Sequence, residues 1–331
     1  MKCPDEADAA TKEFDPPPKG GLQNCFVKIF VTGATGFIGG FLAPRLLALG
    51  HEVVALCRSD NSVRAARAAG QVAALGDLGD SAALERTLRE HAPDAVVHLA
   101  AVIATTRSAK TVDEVNRAGT ERLMQAAVAA GVRRFVFAST VVTGDAHGRV
   151  LVEDEPLPVE TPYGRAKQAC EAMLLERGKK GELDPVVVRP SHVYGAGGWF
   201  AGLVRDLERG RFRVPGSGEN LWDMAHVEDV AEAFALAATA PRPQPLYHVV
   251  DDTPVTMNQV VDATASALSK KPPGHVPIWL ARLVAGRNAI DAAVRSARSS
   301  NARLKRDLGW TPRHPSSLEA IPDVVRALAA A

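Results

Sequence analysis

Cysteine is scarce in this sequence, with four residues in 331 and no Cys-x-x-Cys spacing among them. Cys57 and Cys170 lie in apolar or helical contexts that suit buried free thiols, which argues against a disulfide scaffold. A reducing, cytoplasmic setting is the simplest expectation. We also expect no bound metal, because His98, at the end of a predicted strand, has no second histidine or cysteine at ligand spacing.

Excess charge and long apolar runs are missing too. The 39 Lys and Arg residues against 38 Asp and Glu leave a net charge of +1, which gives no general attraction to nucleic acid or to an anionic membrane. No apolar run reaches the roughly 18 residues that a membrane span needs, and the N-terminus lacks the apolar core of a secretory signal. We therefore expect neither a nucleic-acid nor a membrane partner, and we interpret residues 295–306 as a solvated, basic helix face.

Strands and helices are predicted to alternate from residue 27 to residue 190. Short apolar, β-branched runs indicate strands from 27 to Gly33 and at 52–57, 72–75, 94–99, 134–139 and 184–189, and helical periodicity covers 41–49, 81–91, 113–130 and 161–177. Such buried strands, joined by helices, predict an α/β fold: a Rossmann-like doubly wound parallel sheet with helices on both faces.

The composition divides the chain into three parts. Residues 1–26 are polar and contain three consecutive prolines, which indicates a flexible N-terminal extension. Residues 27–190 are the predicted dinucleotide-binding domain. Residues 191–331 begin with Gly/Pro-rich stretches and continue with helical patterns, so we expect a smaller, mainly helical substrate-binding region, in which a strand near 246–250 is a candidate for return to the main sheet.

Three glycines follow the first predicted strand, at Gly33, Gly36 and Gly39. The first suits a turn conformation closed to side chains, the second lets the backbone approach a ligand, and the third packs helix on strand. Backbone N–H groups at a helix N-terminus stabilise phosphate oxygens. The Gly-x-x-Gly-x-x-Gly spacing differs from the best-known fingerprint, but the strand–turn–helix context indicates a pyrophosphate site.

Polar side chains follow two further strands, at the sheet edge where a cofactor lies. Arg58 follows the second strand, where a cation pairs with the 2′-phosphate of NADP and an acid would accept the ribose hydroxyls of NAD. We expect NADP to be the cofactor. In the alternative, the cofactor is NAD and Arg58 is a solvated surface arginine. Asp77 can accept a hydrogen bond from the adenine amino group or cap a helix. We interpret His98 as a hydrogen-bonded core residue.

A phenol and an ammonium group lie four residues apart, at Tyr163 and Lys167, on one face of a predicted helix. A neighbouring Lys⁺ and an oxidised nicotinamide would lower the pKa of Tyr163 towards working pH, and the phenol would then serve as a general acid/base. Ser139 ends the fifth strand, and its hydroxyl can polarise the same substrate oxygen.

Together these motifs resemble an extended short-chain dehydrogenase/reductase of the NAD-dependent epimerase/dehydratase family, over about residues 27–312. The resemblance rests on residues 32–39, 76–78 and 98–101, Asn116 with Gly119 and Thr120, Ser139 with Gly144, Tyr163 with Lys167, Arg189 with Pro190, Tyr194 with Gly195, and residues 226–229. It implies that Tyr163 exchanges the proton, that Lys167 holds the nicotinamide ribose, and that Ser139 binds the substrate oxygen. Together with the residues that end the strands, the resemblance gives the expected cofactor contacts, which are Gly33, Thr35, Gly36, Phe37, Ile38, Arg58, Asp77, Leu78, Leu99, Ala100, Ala101, Tyr163, Lys167, Pro190 and Val193.

Two positions distinguish this chain from relatives that act on nucleotide sugars. Those relatives usually carry an asparagine where this chain has His192 and a diphosphate-clamping arginine where it has Trp222. Exchange of a cation for an indole removes a charge-assisted contact and adds apolar area, unless Arg211 or Arg213 takes the phosphate instead.

We therefore expect NADPH-dependent reduction of a ketone or aldehyde on a small, apolar or aromatic molecule. The residues expected to contact this substrate are Val102, Thr140, Thr143, His192, Trp199, Phe200, Trp222 and Met224. The alternatives are a nucleotide-sugar epimerase or dehydratase with tightly bound NAD, and a redox sensor without turnover. The family resemblance also implies a homodimer formed through helices at 113–130 and 161–177.

Overall fold

The computed structural model describes residues 26–102 and 109–330. The predicted extension at 1–26 lies outside these ranges except for Phe26, whose side chain is 63% exposed. The two described cysteines, Cys57 and Cys170, are buried free thiols, as the sequence indicated.

Seven parallel strands form the central sheet. They are β1 (Lys28–Thr32), β2 (Glu52–Cys57), β3 (Val72–Leu75), β4 (Ala95–His98), β5 (Arg134–Ala138), β6 (Asp184–Pro190) and β7 (Leu246–Val249). Their order across the sheet is β7-β6-β5-β4-β1-β2-β3, and every pairing is parallel. The strand order reverses between β1 and β4, which is where an open α/β sheet binds its ligand. The predicted Rossmann-like fold is confirmed.

Helices surround the sheet and continue into the C-terminal part. They are α1 (Gly39–Ala48), α2 (Asp60–Ala68), α3 (Ser81–His91), α4 (Ala109–Val112), α5 (Gly119–Ala129), α6 (Pro162–Lys179), α7 (Gly198–Glu208), α8 (Val227–Thr239), α9 (Met257–Ala267), α10 (Ile278–Ala285), α11 (Arg287–Val294), α12 (Ala302–Leu308) and α13 (Ser317–Ala330). In the described part of the chain, none of them has both the length and the apolar character needed to cross a bilayer.

Side-chain alternation along the strands builds a separate core on each face of the sheet. Ile29 and Val31 of β1 point to one face, where they join a cluster that includes Leu42 of α1 and Phe234 of α8. Phe30 points to the other face and joins the cluster formed with α3, α5 and α6. Both faces are therefore covered, and the carboxyl ends of the strands form the accessible edge.

One helix differs from its predicted form. The sequence predicted a helix over 113–130, whereas α4 and α5 are joined by a π-helical turn at Asp113–Ala118. Within that turn the carbonyl of Asn116 accepts hydrogen bonds from Thr120 Oγ1 at 2.5 Å and from Cys170 Sγ at 3.2 Å. Turns of this kind are frequent near functional sites, and here the turn lies beside the carboxyl end of β4.

The C-terminal part packs its own cluster, which includes Phe200 of α7, Val260 of α9 and Ile321 of α13. Four two-stranded ladders join its loops: Leu221–Trp222 with Val255–Thr256, Met224–His226 with His192–Tyr194, His275–Val276 with Val214–Pro215, and Arg298–Ser299 with Val150–Leu151. The strand near 246–250 is β7, which extends the main sheet beside β6. The division of the chain at residue 190 stays a prediction.

Candidate active site

The first two turns after β1 form a glycine-lined cradle. Gly33 has φ +75°, and a Cβ atom there would lie 2.9 Å from the backbone N of Ala100. At Gly39 a Cβ atom would lie 2.1 Å from the carbonyl oxygen of Gly33. Both positions therefore require glycine, the first for close approach of two backbones and the second for packing of α1 onto the turn.

Helix α1 begins at this cradle with its first N–H groups uncapped by any side chain. Uncapped N–H groups and the positive end of the helix dipole make an anion site. Phe37 closes the other side, because its ring packs against Gly197 and Gly198 so tightly that a Cβ atom at either would lie within 3.0 Å of it. The cradle fits a pyrophosphate.

Arg58 follows β2, its side chain is exposed, and it lines the same cavity as the glycine cradle. Ser59 caps α2 in a reciprocal capping box with Ser62, and both serines line the cavity beside Arg58. Asp77 also lines it, while its Oδ1 accepts the N–H of Gly79 at 2.7 Å. Both readings of Asp77, turn former and adenine contact, are compatible with this geometry.

His98 is fixed in a buried hydrogen-bond relay. Thr120 Oγ1 donates to the Asn116 carbonyl, so it accepts from His98 Nε2 at 2.8 Å. His98 Nδ1 therefore accepts from Thr32 Oγ1 at 2.6 Å, and Thr32 in turn accepts from the N–H of Ala100 at 3.2 Å. Burial lowers the pKa of His98 to about 3. His98 is a neutral core residue that holds the loop after β4 in place, as the sequence indicated.

Asn116 holds the same loop from the other side. Its side-chain amide accepts from the N–H of Val102 at 2.8 Å and donates to the Val102 carbonyl at 2.9 Å. This two-point clamp fixes the segment that follows the cofactor loop. Asn116 thus acts through backbone geometry.

Ser139, Tyr163 and Lys167 line one cavity. Thr161 caps α6 by accepting the N–H of Gly164, so Tyr163 and Lys167 lie on the first turns of the helix. Lys167 Nζ donates to the carbonyl of Ala138 at 2.6 Å and lies 5.7 Å from the centroid of the Tyr163 ring. Ser139 Oγ is buried without a hydrogen-bond partner. A buried hydroxyl of this kind is available to a ligand oxygen.

The pKa of Tyr163 is shifted in the direction opposite to the one expected from the sequence. Although part of the Tyr163 ring is accessible from the cavity, desolvation raises the pKa of Tyr163 to about 12, so the lowering expected from Lys167 is not found. Desolvation also lowers the pKa of Lys167 to about 8. Burial is the largest cause of both pKa shifts, and the phenol is held in its protonated form at neutral pH.

The cavity has a volume of about 1070 Å³ and runs from the glycine cradle past Tyr163 to an aromatic wall. Every cofactor contact predicted from the sequence lines it, as do Val102, Thr140, His192, Trp199 and Trp222 among the predicted substrate contacts. The wall is formed by His192 stacked on Trp222 at 4.9 Å between ring centroids, with Trp199 edge-on to both. Desolvation lowers the pKa of His192 to about 3, so this wall is uncharged.

Three predicted substrate contacts lie elsewhere. Phe200 and Met224 are buried in the C-terminal core cluster, and neither lines the cavity. Thr143 is fully buried and donates to the carbonyl of Pro158 at 2.5 Å. Phe200, Met224 and Thr143 lie one, two and four positions from the cavity residues Trp199, Trp222 and Ser139, yet their own side chains are buried away from the cavity.

Several lining residues were not predicted. Helix α11 contributes Ala289, Ala292 and Ala293, and Trp222 Nε1 donates to the Ala293 carbonyl at 2.8 Å. The remaining unpredicted lining residues include Ser59, Ser62, Glu114, Val115, Gly119, Arg122, Val142 and Ser191. Alanines on a distant helix carry no local chemical signal, whereas the serine capping box after Arg58 was visible in the sequence.

The sequence model of the family described as "NAD dependent epimerase/dehydratase family" matches residues 29–250. The chain belongs to this family. Its relatives include a 3-diazoavenalumate denitrifying reductase from a Streptomyces species, 32% identical over 302 residues, covering 88% of this chain and 97% of the relative. A UDP-glucose 4-epimerase of Mycolicibacterium smegmatis is equally similar, 32% identical over 310 residues, covering 87% and 94%. A farnesyl-dihydroquinoline-oxide ketoreductase of Stigmatella aurantiaca is 29% identical, covering 89% and 96%.

Solved structures agree with the fold. The UDP-glucose 4-epimerase of Thermus thermophilus in complex with NAD superposes with a TM-score of 0.77 at 28% identity, covering 92% of this chain and 99% of that one. A dTDP-glucose 4,6-dehydratase variant from Streptomyces venezuelae with bound NAD gives a TM-score of 0.78 at 26% identity, covering 91% and 96%. The family is thus one of NAD-dependent oxidoreductases, epimerases and dehydratases.

Proposed function

We propose that this protein uses NADPH to reduce a ketone or aldehyde on a small apolar or aromatic molecule. The observation that carries the proposal is the distribution of charge along the cavity. Its cationic lining residues, in the described part of the chain, are Arg58, Arg122 and Lys167. Arg122 donates to Glu114 at 2.6 Å, and Lys167 lies beside Tyr163, so neither is available to a substrate diphosphate.

The wall opposite the cradle supports an apolar substrate. The aromatic wall of His192, Trp199 and Trp222 is uncharged, and so are the lining residues Val102, Val142 and the alanines of α11. Arg211 and Arg213 do not line the cavity, and Arg295 is buried against the carbonyls of Val141 and Gly144. A nucleotide sugar would bury its phosphate charges here with no arginine or lysine among the residues that line this wall, which is costly. The reductase relatives, one acting on a farnesylated quinoline oxide by its name, favour the same conclusion.

The residues fit a dinucleotide cofactor, since the glycine cradle closes to side chains at Gly33 and Gly39 and Ser139 Oγ is an orphaned buried hydroxyl. A bound nicotinamide supplies the hydride. Ser139 and Tyr163 would hold the substrate oxygen, and Tyr163, protonated at neutral pH, would donate its phenolic proton to it. Lys167, anchored on the Ala138 carbonyl, would keep a positive charge beside the ribose.

Arg58 supports NADP over NAD. The position after β2 carries a guanidinium in place of a carboxylate, and the Ser59 and Ser62 hydroxyls lie next to it. A planar cation with neighbouring hydroxyls suits a phosphate monoester. We also propose a homodimer, as the family resemblance implies.

The test is an NADPH and NADH oxidation assay over ketones, aldehydes and nucleotide sugars. We expect turnover of an apolar ketone or aldehyde with NADPH and none of UDP-glucose. Conversion of UDP-glucose to its epimer, with NAD retained through purification, would contradict the proposal. In the same assay Tyr163→Phe should lose most of its turnover, and a variant that keeps full activity would refute the assigned role of the phenol.

A further inference from the structure

Helix α10 exposes apolar side chains to an unusual degree. Trp279 is 64% exposed, Leu283 76% and Val284 83%, and Leu280 is 37% exposed beside them. Only Ala281 of this helix is buried. Four large apolar side chains on one short helix form a patch that a free surface rarely carries without a partner.

The chain around this helix is cationic. From residue 269 to residue 290 there is no aspartate or glutamate, and Lys270, Lys271, Arg282 and Arg287 are all exposed. Asp291 pairs with both arginines, so it offsets one of these four positive charges. The ladder of Val214–Pro215 with His275–Val276 brings a fifth exposed cation, Arg213, to the base of the same helix. The near-zero net charge of the whole chain therefore conceals a local excess of positive charge.

We propose that α10 docks on the surface of an anionic lipid bilayer, with its apolar side chains in the headgroup–acyl boundary and the surrounding cations on the lipid headgroups. An apolar helix face with lysine and arginine beside it is the pattern of an interfacial, non-spanning helix. Trp279 suits that boundary because an indole has a large apolar body and one polar N–H.

Other occupants fit the patch less well. A twofold-symmetric contact with a second copy would face the same cations against themselves, and nucleic acid gives no partner for Leu283 or Val284. The expectation of no membrane partner rested on overall charge and on spanning length, and neither quantity reports on a local surface.

The patch is continuous with the wall of the cavity. Gly286, at φ +86°, joins α10 directly to α11, whose Ala293 carbonyl accepts the Trp222 indole N–H. If the proposed reduction of apolar molecules is right, this link places the wall of the site next to the lipid from which such molecules partition. Bilayer binding itself does not depend on the reaction, so the two are tested separately.

The experiment measures sedimentation of the purified full chain with vesicles of phosphatidylglycerol and phosphatidylcholine in equal amounts, and with pure phosphatidylcholine. We expect binding to the anionic vesicles that weakens at high salt, and at least a tenfold loss of partitioning in Leu283→Asp/Val284→Asp. Leu75→Asp, at a 59% exposed position on β3, is the matched control and should bind like the parent. Thermal melting checks that each variant is folded.

A second readout locates the contact. Brominated lipid should quench tryptophan emission in the parent. Trp279→Phe should keep the binding and lose most of the quenching, because Trp222 and Trp310 are buried and Trp199, 37% exposed, is far less exposed than Trp279 at 64%. Failure to bind anionic vesicles, equal loss in the Leu75→Asp control, or self-association removed by the double variant without any vesicle binding would each overturn the proposal.

Discussion

Replacement of Arg58 by serine tests the cofactor preference on one side chain. Arg58 follows β2, is exposed, and lines the cavity beside Ser59 and Ser62. Its removal takes away a guanidinium but leaves the capping box of α2 and the packing of the sheet intact. We therefore expect a change in affinity for NADPH without a change in stability.

The magnitude follows from the exposure of the side chain. A hydrogen bond to a charged group is worth about 1.5–3 kcal/mol, whereas an exposed ion pair is worth about 0.2–1 kcal/mol. For an exposed guanidinium on a phosphate we take about 1.5 kcal/mol, which corresponds to roughly tenfold in affinity. The KM for NADPH should rise by about that factor, while the KM for NADH should hardly change.

The assay is steady-state oxidation of NADPH and NADH at fixed carbonyl substrate, repeated at high salt, which should reduce the difference. Arg64→Ser is the matched control, because Arg64 is an exposed arginine of α2 that pairs with Asn61 and does not line the cavity. An unchanged KM for NADPH in Arg58→Ser, or an equal effect in Arg64→Ser, would refute the reasoning.

The remaining predictions concern catalysis and the cradle. Tyr163→Phe should lower kcat by about 10²–10⁴ with NADPH binding retained, as measured by quenching of protein fluorescence; loss of binding instead would make the phenol a cofactor ligand alone. Because the pKa of Lys167 is lowered to about 8, its ammonium is present below that pH and lost above it. The value of kcat/KM for reduction should therefore fall as the pH rises past about 8. A kcat/KM that stays constant up to about pH 10 would contradict this. Gly39→Ala should destabilise the protein by about 1–3 kcal/mol in urea unfolding, whereas Gly40→Ala, where a Cβ atom meets nothing within 4 Å, should not.

Much of the sheet and of the cofactor end could be predicted, because both are encoded locally. β-branched runs, glycine spacing and the residues that end each strand lie within a few positions of one another along the chain. Ser59 and Ser62 belonged to the same local pattern and were overlooked. The exposed edge of a parallel sheet then brings these separate strand ends together whatever the connecting helices contain.

The substrate end was less predictable, because tertiary packing decides which side chains face the cavity. Phe200 follows Trp199 directly, yet one side chain lines the cavity and the other fills the core. The alanines of α11 carry no chemical signal, and their place in the wall depends on the whole C-terminal fold. The pKa of Tyr163 could not be predicted for the same reason. Burial decides that this pKa is raised and not lowered, and the Tyr-x-x-x-Lys spacing does not encode burial.

The central claim is that this cavity reduces an apolar carbonyl and has no subsite for a nucleotide diphosphate. Isothermal titration of UDP-glucose into the protein loaded with NADP tests it most directly, because the cofactor end is then filled. We predict no binding of UDP-glucose, together with NADPH-dependent turnover of an apolar ketone or aldehyde by the same preparation. Saturable binding of UDP-glucose to the loaded protein, with formation of the C4 epimer, would contradict the account.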